Sequence, residues 1–260
     1  MRRRGVVWSC ATCRGNDVGP GIASVLAPAE EDVLKMRRTI VCLANSYKHG
    51  GRCVAGVCLE DRKWVRLRSA EGDGSLSLHD YLLADGHGEL RLLDVFEAEL
   101  QYAMPSNCHP EDWVAMPSLR LVERPCPAKS WNKVIEKVEK SGSLLGGYGD
   151  RVWASLFLKR PAAASLALVC PTDIWWWVRE ERGKIKCRAL FRRNNVTYDL
   201  AVTDPRWLEQ MKLLPVGIHA HRLLAPETNE TWLTISLSEA FSPGGGGVAH
   251  FRIVAGVILR

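Results

Sequence analysis

The chain has 260 residues, enough for one large core or for two modules of about 100 residues each. Apolar content of 47 % with 25 % charged residues is that of a folding globular chain and excludes a fibrous or largely disordered one. Lys and Arg outnumber Asp and Glu by 35 to 29, a formal charge of +6, so where the charge sits matters more than its total.

No apolar run approaches the ~18 residues of a membrane-spanning helix, so no membrane partner is expected. Arg2, Arg3 and Arg4 ahead of Val6, Val7 and Trp8 imitate the start of a signal peptide, but Thr12, Arg14, Asn16 and Asp17 cut the apolar stretch short. Nine cysteines, at 10, 13, 42, 53, 58, 108, 126, 170 and 187, are odd in number and mostly sit in strand-like segments. That pattern fits reduced thiols in a cytoplasmic protein.

In chain order, residues 1–37 carry Gly, Pro, Asn and clustered charge without a sustained period, the composition of a poorly ordered extension. Met36 reads as an alternative start. From residue 39 short β-favouring runs follow at 39–45, 52–59 and 64–68, the pattern of a three-stranded meander. Leu78, Leu82 and Leu83 give residues 75–84 helical spacing, with Gly86 as a stop, and 92–102 returns to strand. Runs at 109–116 and 118–123 complete a first module over 38–124.

Pro125 and Pro127 then break the chain, Ser130 is placed to cap a helix over 131–140, and 141–150 is glycine-rich, so 125–164 reads as a connector. A second strand cluster follows at 165–170, 174–179, 184–192 and 196–203, with Asn194 and Asn195 supplying a two-residue hairpin turn. Asp204 caps and Pro205 opens a short helix over 206–213. Strands at 231–237 and 248–259, around the glycines at 244–247, close a second module over 165–260. Both halves run through strands, one short helix and more strands. The expected fold class is all-β with short helices, as two tandem five-stranded barrels of the oligonucleotide-binding (OB) type. One larger sandwich or α+β sheet is the competing arrangement.

The clearest functional signal lies at 184–192, because a strand sends alternate side chains to opposite faces. Ile185, Cys187, Ala189 and Phe191 are expected inward, while Lys184, Lys186, Arg188 and Arg192 form a basic stripe, with Trp175 and Trp177 of the preceding strand beside it. Such a row suits phosphate tracking with aromatic stacking platforms; a solvated strand face is the plainer alternative. A second row, Arg62, Trp64, Arg66 and Arg68, shares one face of its strand, although Trp64 as a core residue braced by arginine stems is also open. The segment 45–53 gathers Lys48, His49 and Arg52 around Gly50 and Gly51, where close backbone approach to a phosphate or base is allowed. Neither this loop nor 142–149 has a Walker lysine pattern.

Cys10 and Cys13 form a lone C-x-x-C, and His219 and His221 lack a partner at metal-ligand spacing, so no metal site or cofactor is expected. No nucleophile elbow, H-E-x-x-H motif or kinase element occurs, so no catalytic residue is assigned.

The stretch Thr39-Ile-Val-Cys-Leu-Ala-Asn-Ser-Tyr-Lys-His-Gly-Gly-Arg-Cys-Val-Ala-Gly56, followed by Trp64-Val-Arg66, resembles the opening of the bacterial dual OB-containing domain family. Ser75-Leu-Ser-Leu-His-Asp-Tyr81, Leu92-Leu-Asp94, Lys186-Cys-Arg-Ala-Leu-Phe191 and Tyr198-Asp-Leu-Ala-Val-Thr-Asp-Pro205 resemble further family segments in the same order. The resemblance runs from about residue 38 to the C-terminus; Leu67 stands where the family has a proline. It implies two tandem OB folds and recognition of nucleic acid or nucleotides, as a sensor component of a prokaryotic defence system. The functional expectation is a non-catalytic binder of nucleic acid or nucleotide, single-stranded forms favoured. A protein-interaction module partnering an effector and a nucleotide-processing enzyme with a titratable cluster near His49 or His79 are the alternatives.

Overall fold

The computed structural model describes residues 36–48, 50–84, 86–136, 142–228, 230–242 and 247–260. The expectations for 1–35, for His49, for Cys10 and Cys13, and for the glycines at 244–246 lie outside these residues.

The first sheet is a closed barrel. Strands β1 (Met36–Lys48), β2 (Gly51–Cys58) and β3 (Trp64–Arg68) form the expected meander. A single helical turn, α1 (Leu78–Tyr81), leads to β4 (Val95–Ala103), β5 (Asp112–Ala115) and the short β6 (Arg120–Glu123). The order is β1-β2-β3-β5-β4, closed by β1 against β4, with β6 added on β4. Strand β1 can serve two neighbours because it is long: Met36–Val41 pairs with β4 and Ile40–Lys48 with β2. The parallel β3–β5 pair and the helix between β3 and β4 complete the OB topology. Alternate residues such as Ile40, Cys42, Val54, Val65, Leu67, Phe96 and Leu100 fill the interior. The helix expected over 75–84 shrinks to one turn because Leu82 and Leu83 turn away into isolated bridges with Glu89 and Leu119.

A linking helix, α2 (Ala128–Ile135), starts at Pro127 rather than at Ser130, which lies within it. It is followed by β7 (Arg151–Trp153) and α3 (Ala154–Lys159). The second sheet uses β8 (Leu166–Val169), β9 (Asp173–Glu181), β10 (Lys184–Arg193) and β11 (Val196–Val202). Helix α4 (Pro205–Met211), β12 (Gly217–Ala220), β13 (Thr231–Leu237) and β14 (Ala249–Leu259) follow. Its order is β12-β9-β10-β11-β14-β13-β8, with β11 and β14 parallel.

This is the first barrel's order again, with one difference. The role of β1 is divided: β8 pairs with β13 and β9 pairs with β10. The break falls at Cys170-Pro171-Thr172, where Pro171 offers no N–H to a ladder. Helix α4 sits between the third and fourth barrel strands, as α1 does, and β12 is an extra edge strand on β9. Asp204 caps α4, accepting from the Arg206 and Trp207 N–H groups, and its other oxygen accepts from Val257 N–H of β14 at 2.9 Å. Asn194 and Asn195 both take positive φ (49° and 62°), as a type I′ hairpin turn requires. No helix among the described residues is long and apolar enough to cross a membrane.

The two barrels share a packed junction. Val41, Leu43 and Val57 of the first meet Leu168 and Ile258 of the second, and Ala44 and Ala55 meet Leu166 and Ala255. Gly256 makes this possible: a Cβ there would stand 2.3 Å from the Leu43 carbonyl oxygen. The Tyr47 N–H donates across the junction to Thr203 O at 3.1 Å.

Candidate nucleic-acid interface

On the second barrel, β10 alternates as its sequence dictates. Cys187, Ala189 and Phe191 are buried in the core while Lys184, Lys186 and Arg192 are exposed and Arg188 is half-buried. Ile185 departs from expectation and is exposed, because it lies beside the Arg182-Gly183 turn, beyond the end of the core. On the neighbouring strand Ile174, Trp176 and Val178 point in. Trp175, 48 % exposed, and the half-buried Trp177 therefore point out.

The register then assembles one face. Lys186 lies opposite Arg179, Arg188 opposite Trp177, Leu190 opposite Trp175, and Arg192 opposite Asp173. On the far side of β9, Ile218 lies opposite Trp177 and Ala220 opposite Trp175. The Arg179 guanidinium stacks on the Trp177 ring, 4.8 Å from its centroid. Arg188 is held by the Asp199 carboxylate and also donates to the Asp199 carbonyl at 2.7 Å, which fixes its fork beside Trp177. Across this face Arg179, Lys184, Lys186, Arg188 and Arg192 outnumber Asp173, Glu181 and Asp199. The result is a positively charged sheet surface with two indoles in it. Such a surface can neutralise phosphates and stack bases.

The first row has a different fate. Arg66 is 3 % exposed and donates to Asp112 at 2.6 Å. Arg68 donates to Glu239 at 2.6 Å and to the Asp73 carbonyl at 2.7 Å. Lys48 reaches the same Glu239 at 3.3 Å and Asp73 O at 3.0 Å. Trp64 packs against the junction clusters between the barrels, and Arg62 pairs with Glu136. The outer face of β3 is thus covered by the second barrel and occupied by ion pairs, so it is not an open basic row. Arg52 is also buried, with its guanidinium over Tyr47 at 4.2 Å and Tyr81 at 5.3 Å, and faces Glu89 at 3.8 Å. Of the residues singled out in the sequence, Trp175, Trp177, Lys184, Lys186, Arg188 and Arg192 come together. Lys48, Arg66 and Arg68 meet instead in a partly buried ion-pair network.

The glycine-rich stretch is a carbonyl cage. Arg252, 1 % exposed, donates to the carbonyls of Leu144, Gly149 and Arg151 at 2.7, 3.0 and 3.0 Å. Backbone oxygens rather than N–H groups converge there, the reverse of a phosphate cradle. His221 is fixed between the Trp176 indole N–H, which it accepts at 3.0 Å, and Thr231 at 2.7 Å. His219 faces Pro215 O instead, so the two do not share a site. His79 stands exposed beside Asp80.

A titratable cluster forms elsewhere, between residues whose spacing along the chain does not reveal it. His109, 1 % exposed in the loop between β4 and β5, stands edge-on to His250 of β14 with ring centroids 5.7 Å apart. Glu239 lies 3.7 Å from His109 Nε2. Burial, reinforced by the Arg66 charge, lowers the His109 pKa and keeps the ring neutral. Burial works to raise that of Glu239, but the Arg68 hydrogen bond and the charges of Lys48 and Arg68 outweigh it and hold the carboxylate ionised.

No curated protein matches the chain. A family model described as the dual OB-containing domain matches residues 38–257, which spans both barrels. With that match and two sheets of OB order on one chain, the protein belongs to the dual OB-containing domain family.

Proposed function

We propose that the outer face of the β9–β10–β11 meander binds single-stranded nucleic acid, without catalysis. The observation that carries this reading is the register placing Trp177 opposite Arg188 and Trp175 opposite Leu190, between Lys186 and Arg192. OB-type barrels are a fold of the nucleic-acid and oligomer-binding kind, and the strand 2–3 face is their usual ligand surface; here those strands are β10 and β11. The indoles stack bases while the cationic rows follow the backbone, a mode that tolerates many sequences because every base has a π-face. A sensing role in a prokaryotic defence system would use this face as its receptor surface.

Binding of labelled single-stranded DNA, single-stranded RNA, duplex DNA and a mononucleotide, each across a salt series, tests the proposal. Single strands are expected to bind best, with affinity falling as salt rises, in proportion to the phosphates neutralised. Absent or salt-insensitive binding rejects it. Nuclease-resistant capture of a protein with no nucleic-acid affinity would favour the interaction-module reading.

A further inference from the structure

We infer that Cys108, His109 and His250 form a transition-metal site of the zinc class that clips the first barrel to the second. One ligand atom from each of these residues lies within 4.8 Å of the others. A tetrahedral zinc ion with bonds of about 2.0–2.3 Å holds its ligand atoms roughly 3.3–3.8 Å apart. Closure therefore asks for about one ångström of side-chain movement.

The donors are prepared for the task. The His250 Nδ1–H donates to the Ser238 carbonyl at 2.8 Å, which fixes the tautomer and leaves Nε2 with its lone pair, the usual outer-shell arrangement of a metal-bound imidazole. His109 is buried, and neither of its ring nitrogens has a hydrogen-bond partner among the described residues. An orphaned polar pair at that depth costs free energy that a ligand bond would recover. The backbone of the Ser106–His109 turn is closed by the Ser106 N–H to His109 O at 3.1 Å and the His109 N–H to Ser106 O at 3.3 Å. That turn holds Cys108 and His109 together, and Ala162 N–H donating to Asn107 O at 2.7 Å anchors it.

The charge around the cluster is compatible. Lys48, Arg66 and Arg68 are paired with Asp112 and Glu239, and a Cys108 thiolate would offset half of the charge of a bound zinc ion. One sulfur and two imidazoles suit zinc better than magnesium or calcium, which prefer oxygen. Glu239 lies 3.7 Å from His109 Nε2. Because Cys108 and His109 belong to the loop before β5 while His250 belongs to β14, a bound ion would cross-link the barrels.

The untagged full chain, stripped with a chelator and dialysed, should be titrated with Co²⁺ and then Zn²⁺. One equivalent of Co²⁺ is expected to give tetrahedral visible bands with a thiolate-to-cobalt charge-transfer band, displaced by one equivalent of Zn²⁺. Zinc should also raise the melting temperature. Cys108→Ser should abolish the charge-transfer band, and His250→Gln should weaken zinc binding at least tenfold. A wild-type protein that gives no sulfur-to-cobalt band overturns the site whether or not the variants fold. So does a Cys108→Ser protein that keeps the band.

Discussion

Arg188 lies directly opposite Trp177 in the β9–β10 ladder, and the Asp199 carboxylate of β11 fixes its guanidinium from the other side. Three adjacent strands thus hold a cation and an indole ring beside each other on one surface. Trp175 continues the row two residues along β9 and is the more exposed of the two indoles. Replacing it with Ala should leave the fold intact and weaken single-strand binding about 5- to 150-fold, since stacking on an aromatic ring is worth about 1–3 kcal/mol per base. Fluorescence anisotropy with the variant checks this.

The two arginine rows should respond in opposite ways. Lys186→Ala with Arg192→Ala removes two exposed charges and is expected to reduce the log–log salt slope of binding by about 1–1.5, at little cost in stability. Arg66→Ala leaves Asp112, which is as buried as its partner, without that partner. Arg68 stays within 3.4 Å of Asp112, so the expected destabilisation is that of one lost charged hydrogen bond, about 1.5–3 kcal/mol in a denaturant titration. In protein that still folds, the salt slope should be unchanged.

Asp204 does two jobs at one corner of the second barrel, capping α4 and receiving the Val257 N–H. Asp204→Ala removes the cap and orphans a buried donor on β14. A loss of about 2–4 kcal/mol is expected, summing a typical cap with one unsatisfied buried N–H. A lowered midpoint of chemical unfolding reports it.

Gly256 is a point of close approach between the barrels. Gly256→Val would push β14 off the Leu43 carbonyl, which a Cβ would meet at 2.3 Å, and should cost about 1–3 kcal/mol by overpacking. The same substitution at the open turn position Gly72, where nothing lies within 4 Å but φ is +61°, tests backbone strain alone. Comparing the two melting temperatures separates steric clash at the junction from loss of conformational freedom.

Much of the second barrel was legible because its signals are local. The alternation from Lys186 to Arg192, the Asn194-Asn195 turn and the Asp204-Pro205 helix start each depend on a few adjacent residues. The first basic row reads the same way in sequence, yet Arg66 and Arg68 are enclosed. What covers them comes from Asp112, Glu239 and the second barrel, distant along the chain, and no local pattern encodes that covering. The division of one barrel strand into β8 and β9 was likewise hidden, since Pro171 looks like an ordinary break between strands. His109 and His250 meet only through the junction of the barrels, so spacing along the sequence carried no trace of their proximity.

The proposed nucleic-acid recognition rests on the outer face of the second barrel. The most direct measurement is the affinity of a labelled single-stranded oligonucleotide, across a salt series, for the wild-type chain and for Trp175→Ala/Lys186→Ala/Arg192→Ala. Wild-type affinity should fall with salt along a slope near −2, about three phosphates at ~0.7 each, and the triple variant should bind at least a hundredfold more weakly with a shallower slope. Equal affinity and equal slope for the two proteins, with the fold of each intact, would contradict the assignment of nucleic-acid recognition to this face.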